Sequence, residues 1–252
     1  MGLSYVVTGG GRGIGRAIVE RMVGRGHAVV VVERDVGGLG WGLNGVRFVA
    51  GDAGVEEVAE EAADCAQRLG DLSGWVNNAA VFRDASLDRS GAGEVLDLID
   101  ANLRPVLVGS GAAVRRFLAA GSGGSIVNIS SHQAVRAVPG ALPYSTAKAA
   151  IEGLTRALAV EYGPRGIRVN AVAPGSVATE RYVEYLGSLD PAEAAAVEEQ
   201  MAVLHPMGRV ATGDEVAAAV EFLLSGDAGF VNGATVPVDG GRSVLALDPE
   251  AR

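Results

Sequence analysis

Residues 5–15 read Y-V-V-T-G-G-G-R-G-I-G, and no other stretch restricts the fold as tightly. A short β-rich run ends at Thr8, and glycines follow at 9, 10, 11, 13 and 15. Ile14, Ala17, Ile18 and Met22 then recur at helical spacing. Strand, glycine turn and helix, in that order, open a dinucleotide-binding βαβ unit. Glycines there let the backbone approach a pyrophosphate, and the first N–H groups of the helix face its charge. Glycine clusters also make ordinary loops, but this one sits between the first predicted strand and a well-patterned helix.

Further strand-like runs occur at residues 28–33, 46–50, 74–77, 125–130, 168–172 and 235–238. Helical periodicity fills the intervals, as in Ala147, Ala150, Ile151, Leu154 and Leu158. This alternation predicts an α/β fold: a single Rossmann-type doubly wound parallel sheet of about seven strands, with helices on both faces. No Pro/Ser-rich linker or charge block divides the 252 residues, so one domain spanning 1–252 is expected. The link from Glu33 to Val46 carries Gly37, Gly38, Gly40, Gly42 and Gly45, which predicts a loop or single turn instead of a helix. Thr8, Glu33, Asp52, Asn78, Ser131 and Pro174 all fall at or just past a predicted strand's carboxyl end, where such sheets bind ligands.

A net charge of −9 with no basic stripe argues against a nucleic-acid partner. The longest aliphatic run, Ala28 to Val32, is too short to cross a bilayer. The first strand lies so close to Met1 that no targeting segment is expected, and the location inferred is cytoplasmic. Cys65, alone of its kind, rules out an internal disulfide framework. It falls on an apolar stripe with Val55, Val58, Ala62 and Leu69, which suits packing. His27 and His205 lack neighbours at metal-ligand spacing, so no metal site is expected. Asn128-Ile129-Ser130 matches a glycosylation sequon inside a predicted buried strand and is read as incidental.

The chemistry-bearing pattern is Y-S-T-A-K, residues 144–148, with Ser131 thirteen residues upstream. A helix starting near Ser145 puts the Tyr144 phenol and the Lys148 ammonium one turn apart on one face. A free phenol titrates near pH 10, and a neighbouring cation lowers that value toward a usable acid/base. A serine hydroxyl nearby can hold a substrate oxygen. Tyrosine and lysine four apart are also a common surface pair, so this pattern gains its weight from the glycine turn at the other end of the chain.

Together these features resemble the short-chain dehydrogenase/reductase family along almost the whole chain. Its cofactor motif T-G-x-x-x-G-x-G matches Thr8 to Gly15, so Thr8, Gly9, Gly11, Arg12, Gly13, Ile14 and Gly15 are implied to bind the dinucleotide. The family's N-N-A-G appears as Asn77-Asn78-Ala79-Ala80, with alanine in place of the last glycine. Its P-G-x-V-x-T motif is complete in Pro174, Gly175, Val177 and Thr179. The resemblance implies hydride transfer between nicotinamide and a secondary alcohol or ketone. Tyr144 is implied to be the acid/base, Lys148 to tune it and hold the nicotinamide ribose, and Ser131 to orient the substrate oxygen. Asn102 is implied to bind a water connecting Lys148 to solvent, and Val177 and Thr179 to contact the carboxamide. His132 is expected either to enter the substrate pocket or to pack beneath the loop, and Trp41 and Trp75 to serve packing. A homotetramer, or a homodimer, is also implied. The alternatives are a catalytically idle dinucleotide-binding regulator and a sugar-nucleotide epimerase or dehydratase on a related fold.

Glu33, 18 residues beyond Gly15, stands where a carboxylate bonds the adenosine ribose and repels a 2′-phosphate. Arg34 and Arg12 pull the other way, since a 2′-phosphate needs basic partners, so NAD is expected and NADP stays open. Asp52 and Ala53 are candidates for the adenine edge, and Asp52 equally suits a helix N-cap. Residues 178–207 are expected to be helical and to cover the substrate. Tyr182, Tyr185, Leu186, Leu204 and Met207 are the candidates there for an apolar lining.

Overall fold

The structure, a computed structural model, describes residues 2–37, 42, 44–247 and 250. Its strands are β1 (Leu3–Thr8), β2 (Ala28–Glu33), β3 (Val46–Ala50), β4 (Asp71–Asn77), β5 (Gly124–Ile129), β6 (Ile167–Pro174) and β7 (Thr235–Val238). They form one sheet in the order β3-β2-β1-β4-β5-β6-β7, each neighbouring pair parallel. This is the predicted doubly wound architecture. β4 starts three residues earlier than its β-prone run, because Leu3 and Ser4 of β1 pair with Asp71 and Leu72 and draw them into the ladder. β5 ends at Ile129 and leaves Ser130 and Ser131 beyond the strand.

Strand alternation sorts the valines to two cores. Val6, Val30 and Val32 face α2 (Glu56–Leu69), α3 (Gly91–Ala120) and α4 (Leu142–Tyr162), with Trp75, Phe117 and Ile126 filling that layer. Val7, Val29 and Val31 face α1 (Gly13–Gly24) and α7 (Gly213–Leu224) through Ile18, Met22, Val220 and Leu223. Both faces being covered explains why β2 reads as an unbroken valine run. Cys65 packs against the first core, as its stripe suggests.

One buried polar chain fixes how α3 and α4 meet the sheet. Trp75 Nε1 donates to Asn77 Oδ1 at 3.0 Å, and Asn77 Nδ2 donates to Asn128 Oδ1 at 2.8 Å and to Ser110 Oγ at 3.0 Å. Asn128 Nδ2 then donates to Thr155 Oγ1 of α4 at 2.9 Å. Each buried amide thus finds partners, as burial demands, and the sequon asparagine is spent inside the fold.

The described part of the link after β2 carries no helix; Gly38, Gly40 and Trp41 lie outside the described residues. Residues 178–207 hold two short helices, α5 (Glu180–Gly187) and α6 (Pro191–Leu204). α6 starts at a capping box, in which Asp190 accepts from Ala192 and Glu193 N–H groups. Among the described residues no helix is long and apolar enough to cross a membrane.

Candidate active site

Strand order reverses between β1 and β4, and the crevice beyond their carboxyl ends is a cavity of about 760 Å³. The glycine turn forms its floor. Gly9 adopts φ +63°, and a Cβ there would come within 2.8 Å of the Ala79 Cα. A Cβ on Gly15 would collide with the Gly9 carbonyl, so at both positions the chain packs too closely against its own neighbours to admit a side chain.

Thr8 and Asn78 stand behind this floor and brace it. Thr8 Oγ1 accepts from Asn78 N at 3.0 Å and Ala79 N at 3.1 Å, and Asn78 Nδ2 donates to Thr8 O at 3.1 Å and Gly9 O at 2.8 Å. Gly9, Arg12, Gly13, Ile14, Gly15, Ala53, Asn78, Ala79 and Ala80 line the cavity, whereas Thr8, Gly11 and Asn102 do not. Pro174, Gly175, Val177 and Thr179 close the opposite wall.

Glu33 ends β2 with its carboxylate folded back over the turn. Oε2 accepts from Gly11 N and Oε1 from Arg34 N, both at 3.1 Å. Arg34 Nη2 donates to Asp52 Oδ2 at 2.6 Å, so this arginine already has a counter-ion. Asp52 also accepts from Gly54 N at 2.8 Å. That N–H, against a desolvation cost and with help from Arg34, holds the carboxyl below its usual range. Asp52 is not the helix cap considered above: Val55 occupies the N-cap of α2. Arg12 is exposed and makes no ion pair among the described residues.

The other end of the cavity holds Ser131, Tyr144 and Lys148. α4 begins at Leu142, one turn earlier than the sequence pattern indicates, because Pro143 suits the first turn of a helix. Tyr144 and Lys148 still share a face, with Nζ 5.3 Å from the phenol ring centroid. Lys148 Nζ donates to Ile129 O at 2.7 Å, and burial lowers its pKa to about 8. Burial pushes the Tyr144 phenol well up, while a hydrogen bond with Ser131 and the charge of Arg181 pull weakly the other way. The expected lowering of the phenol by Lys148 is therefore not what this geometry yields, since desolvation acts on both groups at once.

Ser131 Oγ accepts from Gln133 N at 3.1 Å and caps the short 3-10 turn His132–Ala134. Ser130, its neighbour, turns to α4 and donates to Glu152 at 2.9 Å. Asn102 Oδ1 accepts from Val81 N at 3.0 Å, and Nδ2 donates to Val81 O at 3.1 Å and Leu98 O at 2.9 Å. Its side chain thus holds the wall after β4. His132 does both things considered for it, lining the cavity while Nδ1 donates to Pro174 O at 3.2 Å. Its Nε2 is buried with no partner among the described residues, and burial with the nearby Arg242 charge lowers its pKa to about 4. His205 packs in the fold, Nδ1 donating to Met201 O at 2.7 Å, and no metal-binding cluster occurs among the described residues.

Three residues at the site escape sequence reasoning. Glu180, the first residue of α5, places Oε2 2.8 Å from Gly13 N, so the turn already carries an anion. Phe82 lies with its ring centroid 4.0 Å from that of Tyr144, and the Arg181 guanidinium carbon sits 4.3 Å from the Phe82 centroid. The signal available was only proximity to motifs: Phe82 follows the N-N-A-A segment, and Glu180-Arg181 follow Thr179. Of the lining candidates in residues 178–207, Tyr182 and Tyr185 reach the cavity; Leu186, Leu204 and Met207 do not.

Residues 9–243 match the family model described as enoyl-(acyl carrier protein) reductase. Levodione reductase of Leifsonia aquatica is 35% identical over 94% of this chain and 93% of its own. A solved short chain dehydrogenase/reductase family protein is 37% identical with a TM-score of 0.79, covering 97% of this chain and 98% of its own. ElxO, solved with NADP bound, is 27% identical with a TM-score of 0.86, covering 97% of this chain and all of its own.

Proposed function

The chain belongs to the short-chain dehydrogenase/reductase family and is an NAD(P)-dependent oxidoreductase of alcohol and ketone substrates, and from that premise we propose which residues carry the reaction. The observation behind the assignment is convergence. Ser131, Tyr144 and Lys148 meet at one end of the cavity whose other end is the glycine turn and Glu33. The relatives described lend no support to an idle regulator or to a sugar-nucleotide epimerase or dehydratase.

The dinucleotide fits the residues present. The Gly13 N–H already donates to a carboxylate, and Gly9, Gly13, Ile14 and Gly15 line the cavity with no side chain on the glycines to block an anion. Gly9, Gly13, Ile14 and Gly15 hold the pyrophosphate, Glu33 and Asp52 the adenosine, and Lys148, Pro174, Gly175, Val177 and Thr179 the nicotinamide half. When bound, the cofactor supplies or accepts the hydride.

Tyr144 gives its proton to the substrate oxygen in ketone reduction and takes it in alcohol oxidation. Ser131 donates a hydrogen bond to that oxygen and steadies charge developing on it. Asn102 serves as a positioning residue through Val81. Glu33 makes NAD the preferred cofactor. Residues 178–207 cover the substrate, and the 1–252 chain acts as one domain. The same reading includes a homotetramer or homodimer, supported by exposed Leu107 on α3 and Val160 on α4, and a cytoplasmic location.

The test is a panel of secondary alcohols and ketones with NAD(H) and NADP(H), followed at the reduced-nicotinamide absorbance. Turnover is expected with at least one pair and is abolished in Tyr144→Phe. No turnover with any pair, in protein that binds cofactor, would refute the proposal.

A further inference from the structure

We propose that Arg181 selects substrates in which a carboxylate, or a group of like charge, lies a short distance from the reacting carbonyl or carbinol carbon. The inference rests on the oxidoreductase reading of the same cavity and adds the class of substrate. Arg181, second residue of α5, lines the cavity with its guanidinium carbon 4.3 Å from the centre of the Phe82 ring. Phe82 in turn lies 4.0 Å, centroid to centroid, from Tyr144. The cation therefore stands within the sum of those two spacings from the tyrosine that handles the proton. Its charge is felt at the phenol itself.

Arg181 is not spent on a carboxylate of its own. Among the described residues it takes part in no ion pair, although Glu180 precedes it and Glu184 follows on the same helix. The acids lining the cavity all serve the other end: Glu33 accepts from Gly11, Asp52 pairs with Arg34, and Glu180 accepts from Gly13. Phe82, Gln133, His132, Tyr182 and Tyr185 also line the cavity and carry no negative charge at neutral pH; the Glu198 and Asp239 carboxylates, which act on Tyr182 and His132, are not among its lining residues. Lys148 is buried and donates to Ile129 O, and Arg242, whose charge reaches His132, donates to Ser176 Oγ at 2.6 Å.

An arginine over an aromatic ring keeps its guanidinium donors for a second partner, and its fork matches a carboxylate in a two-point contact. The ring also limits the side-chain freedom lost when that contact forms. Aromatic walls and a lining cation that has no ion pair among the described residues suit an anion attached to an apolar or aromatic body. A neutral ketone gains only the walls.

The experiment compares acetoacetate, levulinate and 3-benzoylpropionate, each with its methyl ester, in wild type, Arg181→Met and Arg181→Lys. The readout is the acid-to-ester ratio of kcat/KM. Wild type is expected to favour at least one acid about tenfold or more, the scale of one charge-assisted contact, chiefly through KM. Arg181→Met should cut that ratio about tenfold, and Arg181→Lys should keep part of it. Ratios near one for every pair in wild type, or an unchanged ratio in Arg181→Met, overturn the inference while ester turnover leaves the oxidoreductase reading intact. A weaker cofactor affinity in Arg181→Met with no change in the ratio assigns the cation to the dinucleotide and also overturns it. If neither acids nor esters react, no ratio can be formed, and the wider panel of alcohols and ketones decides the oxidoreductase reading separately. Calorimetric binding of 3-benzoylpropionate against its amide then decides for the anchor: tighter acid binding in wild type and not in Arg181→Met supports it, and equal binding in wild type ends it.

Discussion

Glu33→Gln isolates the charge that we hold responsible for preferring NAD. The substitution is nearly isosteric, and the amide oxygen can still accept from Gly11 N, which Glu33 now does at 3.1 Å. What disappears is repulsion toward a 2′-phosphate and the charge assistance in bonding ribose hydroxyls. Two unit charges about 4 Å apart interact by roughly 4 kcal/mol at an effective dielectric of 20 and about 1 kcal/mol in bulk water. Glu33 is half-buried, so the repulsion removed lies between those limits. The lost assistance to the ribose adds about 1 kcal/mol on the NAD side. Each 1.4 kcal/mol is tenfold, so the NAD-to-NADP ratio of kcat/KM should fall by roughly 30-fold to a few thousand-fold. Arg34 contributes little to wild-type NADP binding, because Asp52 holds it at 2.6 Å. The assay is initial rates with both cofactors in wild type and variant, plus a thermal melt to confirm equal folding. A wild type that already prefers NADP would refute the reasoning and show that Arg12 and Arg34 outweigh the carboxylate. An unchanged ratio in Glu33→Gln would refute it as well.

Tyr144→Phe should lower kcat by about 10² to 10⁴ or more while a cofactor titration gives nearly the wild-type affinity; near-normal turnover would remove Tyr144 as the acid/base. Glu180→Gln should tighten cofactor binding up to about tenfold, the scale of one hydrogen bond, because its carboxylate competes with the pyrophosphate for Gly13 N. Equal or weaker binding, measured by calorimetry, would show that no competition exists. His132 has a native pKa of about 4 against 6.5 unfolded, so the unfolded chain binds the extra proton as pH falls from 6.5 to 4 and native stability drops in that window. At 1.36 kcal/mol per pKa unit the loss approaches about 3 kcal/mol. Urea midpoints for His132→Leu should therefore fall less steeply than wild type between pH 6.5 and 4.5, and parallel curves would contradict the assignment.

The sheet was legible because its strands are short valine-rich runs separated by patterned helices, and the glycine turn set where the order begins. Three of the seven strands were bounded as observed. Of the others, pairing with a neighbour extends β1, β4 and β6 by one to three residues at an end, as at Asp71–Leu72, and β5 lies one residue earlier than expected. The proton-handling end was legible for a similar reason: one helical turn suffices to bring Tyr144 and Lys148 together. Side-chain roles were less so. Asn102, in a helix and facing inward, carries no sign in its spacing that Val81, 21 residues earlier, will consume both ends of its amide. Glu180 likewise meets Gly13 across 167 residues of chain, a contact only the closed sheet can create.

Tyr144 and Lys148 show why their spacing alone misjudged the phenol. Taking the 5.3 Å from Nζ to the ring centroid as the separation, the attraction between ammonium and phenolate is about 3 kcal/mol at an effective dielectric of 20. That would lower the phenol by roughly two units. Desolvation of a fully buried group raises it by up to 3–5 units, and Tyr144 is almost wholly enclosed between Phe82 and α4. The same enclosure lowers Lys148 to about 8, so its charge is itself partly withdrawn just above neutral pH. The protein's own groups thus keep the phenol protonated, which is the form that gives a proton to a ketone. Alcohol oxidation, needing the phenolate, depends on whatever further positive charge and hydrogen bonding the bound dinucleotide and substrate bring. Ketone reduction depends on them too, because a phenol raised above its usual range is also a weaker proton donor.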